Sequence, residues 1–528
     1  MSLDSLVPGA GPNGKSRQPV LVSVGNNGVH ANSHEHDLLK PDSMRIDPAW
    51  ALRLPANLAL RREMLPIGLS DRKVLVACAD PTDQAGLEAV ERYLNNPVIA
   101  RRADLESLQR ALHRVYPDPT APAVRPGSAT RGPEADDDAV GLADEILRHA
   151  VIRQASDIHI EPRRDGVRIR LRVDGELEEL RRLPTSRQTG LISRLKVLSG
   201  MDIAERRAPQ DGAFTWSSGA GRDRPTVDIR VATVPVKYGE RMTLRLLNLN
   251  AGMFTLQSLG LAKEDLESFA QTIKAPHGLI LMNGPTGSGK TTTLYAAIRE
   301  MDRHALNIVT VEDPVEYEME DISQVAVDSA EKVTFAKALR SVLRHDPDVV
   351  MVGEIRDLET ADVAIKAGLT GHLVFSTLHT NSAAGAITRL VDMGVPAYLV
   401  AATLRLSAAQ RLVRRLCEHC RAPRPLSTAE SIALAVPQAA GHTVHDPVGC
   451  ALCGGRGYAG RVGIYEMMTM DAELSEMVVA GASESKLRDV AHVKGMRSLR
   501  LDAAEKALVG ITSVAEVIEN TDGPAVTR

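Results

Sequence analysis

Gly278-Leu-Ile-Leu-Met-Asn-Gly284-Pro-Thr-Gly-Ser-Gly-Lys290-Thr-Thr-Thr-Leu-Tyr-Ala-Ala-Ile-Arg299 decides the fold. Its centre fits G-x-x-x-x-G-K-[ST], a spacing that binds phosphate only between a buried strand and a helix. Gly278 to Met282 is a short apolar run that reads as such a strand, and Thr291 to Arg299 reads as the helix. The glycines let successive backbone N–H groups turn toward one anion, and the helix N-terminus adds partial positive charge. Gly284, Pro285, Thr286, Gly287, Ser288, Gly289, Lys290, Thr291 and Thr292 are therefore the candidate nucleotide ligands. Lys290 is expected to reach the outer phosphates, and the Thr291 hydroxyl to face Mg2+. The bland alternative is a glycine-rich turn, but both flanks argue against it.

Outward from this stretch, strand and helix alternate from about Phe254 onward, which predicts a mostly parallel sheet with helices on both sides. Ligands of such sheets gather at the carboxyl ends of the strands. Glu312-Asp-Pro-Val-Glu316 follows Asn307–Val311, Gly353-Glu354-Ile-Arg356-Asp357 follows Val349–Val352, and Thr377-Leu-His379 follows Leu373–Ser376. The second resembles a Walker B strand whose usual aspartate is replaced by Gly353-Glu354, so Glu354 is the candidate to hold Mg2+ through water. Glu312 is then the candidate to orient the attacking water. The competing reading makes these acids helix caps, Asp313 before Pro314 above all. His372 and His379 read either as loop histidines or as γ-phosphate contacts. Arg340 and Arg344, four apart in Phe335–His345, are expected to share a helical face as a paired clamp.

The chain has 528 residues, enough for several domains. Its 63 Lys+Arg against 67 Asp+Glu argue against a chain built to neutralise a nucleic-acid backbone, and 3% aromatic content leaves few stacking platforms. No apolar run approaches the roughly 18 residues that span a bilayer, and no signal-like start is visible. A cytoplasmic protein is expected. The anticipated organisation is a disordered arm over 1–40, a small α/β domain over 41–118, a Pro-rich linker over 119–138, a second α/β domain over 139–250 and the ATPase domain over 251–528. In the second domain, Asp157–Glu161, Val167–Val173 and Val227–Val231 alternate with period two as half-exposed strands. That pattern sets Arg168, Arg170, Arg172, Arg230 and Arg245 on exposed faces. A solvated face accounts for most of them, yet arginine is suited to reaching a terminal phosphate.

Cys417-Glu-His-Cys420 and Cys450-Ala-Leu-Cys453 are two C-x-x-C turns with 29 residues between them, filled by a helix-bearing insert within 412–465. Each turn brings two thiolates about 3.5 to 4 Å apart, and two turns complete a tetrahedral, closed Zn2+ site of structural type. A redox dithiol is the rival. His419 is expected not to ligate, and the fifth cysteine, Cys78, reads as a small buried residue inside a strand. Arg411, Arg414, Arg415, Arg421 and Arg424 around the first pair read as a solvated face, open to acidic partners or lipid headgroups.

Taken together, Ala155-Ser-Asp-Ile-His-Ile-Glu-Pro162, Asp202–Gly212, Gly284–Thr291, Val311–Glu316, Arg344–Asp357, Thr370–Thr380 and the four cysteines resemble the secretion ATPases of the type II secretion and type IV pilus assembly group. The resemblance runs from about Val140 to the C-terminus and more weakly over Asp47–Tyr116. It implies a RecA-like ATPase domain preceded by a PAS-like domain, and a homo-hexamer working at the cytoplasmic face of a bacterial inner membrane. It implies ATP, Mg2+ and Zn2+. By the same resemblance Glu312 activates water, Glu354 serves the metal, His379 lies near the γ-phosphate, and Arg230, Arg245, Arg340 and Arg344 contact phosphates. The leading domain would dock on the cytoplasmic part of an inner-membrane protein, and the ring on a polytopic platform protein, with acidic lipid as a further contact and no nucleic acid. The expected function is powering pseudopilus assembly for type II secretion. A type IV pilus extension ATPase is the alternative, and a nucleic-acid translocase or a nucleotide-gated scaffold are the rivals of other classes. The arm before Asp47 shows no second copy of the leading domain and no R-L-G-x-x-L type segment of the kind some relatives use for a cyclic dinucleotide.

Overall fold

The computed structural model describes residues 38–70, 72–116, 135–217, 226–247, 254–327 and 333–521. Residues 1–37 of the expected arm and 119–134 of the expected linker lie outside the described residues. Two boundaries shift. Leu39, placed in the arm from sequence, is buried, and its N–H donates to Arg102 O at 3.0 Å. Ala135–Asp138, placed in the linker, already belong to the helix Ala135–Ile152.

The leading domain is a three-stranded sheet in which β1 (Met64–Ser70) runs antiparallel to β2 (Lys73–Cys78) and β2 runs parallel to β3 (Val98–Arg102). Helices Gln84–Leu94 and Leu105–Val115 start where Asp83 and Asp104 accept from Gly86 and Ser107 N–H groups. These caps satisfy donors that the first turn cannot pair. Cys78 is fully buried and its thiol is pushed up to about 11, chiefly by burial, as befits a core residue.

The second unit is a six-stranded antiparallel sheet of β4 (Asp157–Arg163), β5 (Gly166–Val173), β6 (Glu176–Leu183), β7 (Gln210–Ser217), β8 (Thr226–Val236) and β9 (Gly239–Leu246), ordered β6-β5-β4-β9-β8-β7. Alternation sends Val167, Ile169, Leu171 and Val173 into a core completed by helices Ala135–Ile152 and Gln188–Leu198. The even positions between them carry Arg168, Arg170 and Arg172 out on the other face.

The third sheet contains β10 (Gly278–Asn283), β11 (Ile308–Glu312), β12 (Ser323–Ala326), β13 (Val349–Val352), β14 (Leu373–Leu378), β15 (Leu404–Leu416) and β18 (Tyr458–Thr469) in the order β12-β11-β13-β14-β10-β15-β18. Every neighbouring pair is parallel except β15 with β18. Strand β10 is buried along its whole length, with Leu279 and Leu281 in one core and Ile280 and Met282 in the other. A strand covered on both faces must be apolar at every position, which is why its sequence shows no alternation. Between β15 and β18 the chain makes the hairpin β16 (Ala422–Pro425) and β17 (Thr443–Asp446), with helix Thr428–Ala433 started by a Ser427/Glu430 capping box.

Candidate active site and metal centre

The phosphate-type loop sits where β10 ends and helix Lys290–Arg299 begins. Gly284, Gly287 and Gly289 have φ of +143°, +80° and +89°. Gly284 is also fixed by space, since a Cβ there would lie 2.4 Å from Gln410 O on β15. Gln410 supports the loop a second way, because its side chain accepts from Thr293 Oγ1 at 2.9 Å. Pro285, Thr286 and Gly287 are exposed, while Ser288 is buried with an Oγ that meets no hydrogen-bond partner. Lys290 folds back, its Nζ donating to Gly284 O at 2.8 Å and Pro285 O at 3.1 Å. Burial pulls its pKa down and the Glu354 charge holds it up. A buried ammonium, an unpaired hydroxyl and a glycine turn at a helix start fit a polyphosphate with its Mg2+.

Glu354 follows β13 and its side chain is 15% exposed. Its carboxylate accepts from His379 Nε2 at 3.1 Å and pairs with Arg356. Burial alone would raise its pKa, but the Arg356 and His379 hydrogen bonds outweigh burial and lower it. Lys290, Glu354, Arg356 and His379 thus form one charged group beside the loop. Arg356 stands in the motif quoted from sequence without a role; only the fold shows that it neutralises Glu354.

Glu312 behaves differently. It is 2% exposed, and its carboxylate accepts from the Tyr295 hydroxyl, from Thr310 Oγ1 at 2.5 Å and from Gln324 Nε2 at 3.2 Å. Among the described residues its partners come from the helix after the loop, from its own strand β11 and from the edge strand β12. Glu316, four residues on, is the carboxyl that faces the arginines of the second unit. Burial pushes its pKa up, while the Arg230 and Arg245 charges draw it down. Asp313 caps no helix, because the chain from Asp313 to Glu318 is irregular.

Arg230 and Arg245 are cross-strand partners on β8 and β9, and Arg245 Nε donates to Asp157 Oδ1 at 3.1 Å. Arg168 and Arg170 are tied instead to Glu161, at 2.8 and 2.5 Å, and these bonds drive the Glu161 pKa, which burial would raise, down to about 2. They form a half-buried ion cluster around the buried Glu161 and not a solvated row. Of the candidate clamp, Arg340 lies on a helix and Arg344 just past its end. The helix is Phe335–Val342, Arg340 pairs with Glu359 at 2.7 Å, and the Arg344 guanidinium donates to Arg340 O at 2.9 Å. Pro347 and the left-handed Asp346, at φ +51°, end the helix early.

The four cysteine sulfurs lie within 4.8 Å of one another. Cys417–Cys450, Cys420–Cys453 and Cys450–Cys453 Sγ pairs are each 3.8 Å apart. The N–H groups of Gly449, Cys450 and Gly457 donate to the sulfurs of Cys420 and Cys453 at 3.1 to 3.2 Å. Hydrogen bonds from Cys417 and Cys450 hold the Cys453 thiol far below its ordinary range. A closed set of four soft donors suits tetrahedral zinc and leaves no position for substrate. Of the arginines expected as a solvated face only Arg415, paired with Glu418, is exposed; Arg414 pairs with Glu516 and Glu176, Arg424 with Glu430 and Asp446, and Arg421 and Arg411 donate to Gly510 and Asn520 carbonyls.

The parallel sheet and the loop at its strand ends define a RecA-like P-loop ATPase. The X-ray structure of the Legionella pneumophila ATPase DotB shares this fold, with a TM-score of 0.53 and 23% identity over 74% of this chain and 96% of that one. Residues 134–519 match the model of the Type II/IV secretion system protein family, to which the chain belongs, and residues 34–122 match the MshEN domain. Over 488 residues, 89% of this chain and 96% of the relative, it is 41% identical to type II secretion system protein E of Pseudomonas aeruginosa. Over 498 residues, 91% of this chain and 56% of the relative, it is 38% identical to the type IV pilus assembly ATPase PilB of Thermus thermophilus. As an ATPase of this family it uses a nucleotide and Mg2+. No helix among the described residues is long and apolar enough to cross a membrane.

Proposed function

We propose that the protein is the motor of a type II secretion system, a homo-hexamer at the cytoplasmic face of the inner membrane that spends ATP on assembling a pseudopilus. The observation that carries the reading is the identity with a type II secretion protein E along almost that protein's entire length. Pilus extension is the second reading, favoured by the PilB relative, of which this chain spans only 56%. The formal charge of −4 counts against a nucleic-acid translocase.

In this reading the Gly284–Thr292 loop and Lys290 hold the phosphates, and Thr291 with Glu354 holds Mg2+, which supplies charge neutralisation at the transferred group. Arg356 and His379 keep Glu354 ionised, and His379 lies on the γ-phosphate side. Glu312 orients the attacking water, and Glu316 presents a carboxyl toward Arg230 and Arg245. Those two arginines, with Arg340 and Arg344 for a neighbouring subunit, read the terminal phosphate. Losing that phosphate releases contacts between the second unit and the ATPase domain, which is the power stroke. The four cysteines hold structural Zn2+ within 412–465. The leading domain docks on a membrane-bound partner and the ring on a platform protein.

The test is steady-state phosphate release with purified protein, alone and with acidic-lipid vesicles or DNA. Stimulation by vesicles is expected; stimulation by DNA alone would turn the assignment toward a translocase. Capture of a membrane partner by residues 41–118, identified by mass spectrometry, separates secretion from pilus assembly.

A further inference from the structure

The turn carrying the second cysteine pair also forms the seat of the leading domain. Leu452, between Cys450 and Cys453, is 7% exposed and lies in the same apolar core as Ile46, Met64 and Ile67. Its carbonyl accepts the Arg45 N–H at 3.2 Å. Gly68 of β1 approaches so closely that a Cβ there would sit 3.4 Å from Ala451 O. Charge closes the rim. The Arg45 guanidinium reaches Asp174 at 2.8 Å and Glu178 at 2.9 Å, Arg456 pairs with the same Glu178, and Gly460 N–H donates to Asp174 at 3.3 Å.

Little regular structure holds this turn. It contains one 3-10 turn, Ala451–Cys453, and is otherwise shaped by Gly449, Gly454, Gly455 and Gly457 at φ of +110°, +62°, +81° and +78°. Its inward N–H groups are spent on sulfur acceptors, as described above. Glycines release the backbone in every direction unless something pins it, and here the pin is the sulfur cluster. The two cores of the parallel sheet contain none of the four cysteines.

We propose that the metal-loaded cysteine cluster is the catch that holds the leading domain on the ATPase body, so that metal loss frees the leading domain while the parallel sheet stays folded. This rests on reading the cluster as a zinc site, and the test keeps the two apart. In the full chain, zinc is first counted by atomic emission. Amide hydrogen exchange is then followed at Arg45 and along β10, for wild type before and after chelation and for Leu452→Asp. Leu452→Asp should keep its zinc and lose protection at Arg45, with β10 unchanged. Chelated wild type should show the same loss. Zinc absent from the native chain overturns both the metal reading and the proposal. Zinc present, with Arg45 protection kept after its removal or kept in Leu452→Asp, overturns the proposal alone. So does simultaneous loss of protection in β10, because the sheet would then depend on the metal.

Discussion

The phosphate loop and the second cysteine turn are both glycine-rich, but they are held from opposite sides. The loop is clamped by its surroundings: a buried strand before it, a helix after it, and Gln410 of β15 packed against Gly284. The cysteine turn is held from within, by the sulfurs its own N–H groups face. The loop should therefore keep its shape whether or not a ligand is present, whereas the turn should not survive loss of its ligands. A glycine motif alone does not tell these cases apart; what packs on it does.

The largest expected effect comes from the loop's chemistry. Lys290→Ala and Glu354→Gln should each lower phosphate release on the order of 100-fold or more, with the fold intact by circular dichroism; near wild-type turnover in either would remove the site assignment. Next is the contrast itself. Cys453→Ser should lose its zinc and unfold the module around it at lower temperature, while the affinity for a fluorescent ATP analogue stays within about twofold; a collapse of ATP binding would show that the two turns are not independently held. Third, acid should attack the second unit. Glu161 has its pKa lowered from 4.5 to about 2, so its stabilisation is complete above pH 4.5 and disappears as pH falls through 2. This contributes at most about 3 kcal/mol, and Glu161→Gln should flatten the acid limb of a stability–pH curve by that amount. Gln410→Leu should cost about 1 kcal/mol by removing the acceptor of the Thr293 hydroxyl, visible as a lower melting temperature. Smallest is Glu176→Ala. Its partner Arg414 keeps Glu516, so a change under about 1 kcal/mol is expected.

What sequence reveals here follows the same division. The loop, the parallel sheet and the cysteine pairs were legible because each is a local pattern: a spacing, an apolar run, a turn. The strands of the second unit were legible from alternation. What was hidden depended on partners distant in sequence. Arg168 and Arg170 look solvent-facing along β5, and only the pairing of β5 with β4 brings Glu161 beneath them. Glu312 and Glu316 share one motif, but their directions depend on Tyr295, Gln324 and the arginines of another sheet. Arg340 and Arg344 have helical spacing, yet Asp346 and Pro347 stop the helix before the second of them.

Strand β15 runs for 13 residues, roughly 40 Å of extended chain. It begins beside the phosphate loop's own strand, passes beneath the loop at Gln410 and ends at Leu416, next to Cys417, with β18 paired along it. Such a doubled ribbon is a stiff beam. A tilt at its inner end reappears, enlarged, at the outer end, where the leading domain packs on Leu452 just ahead of β18.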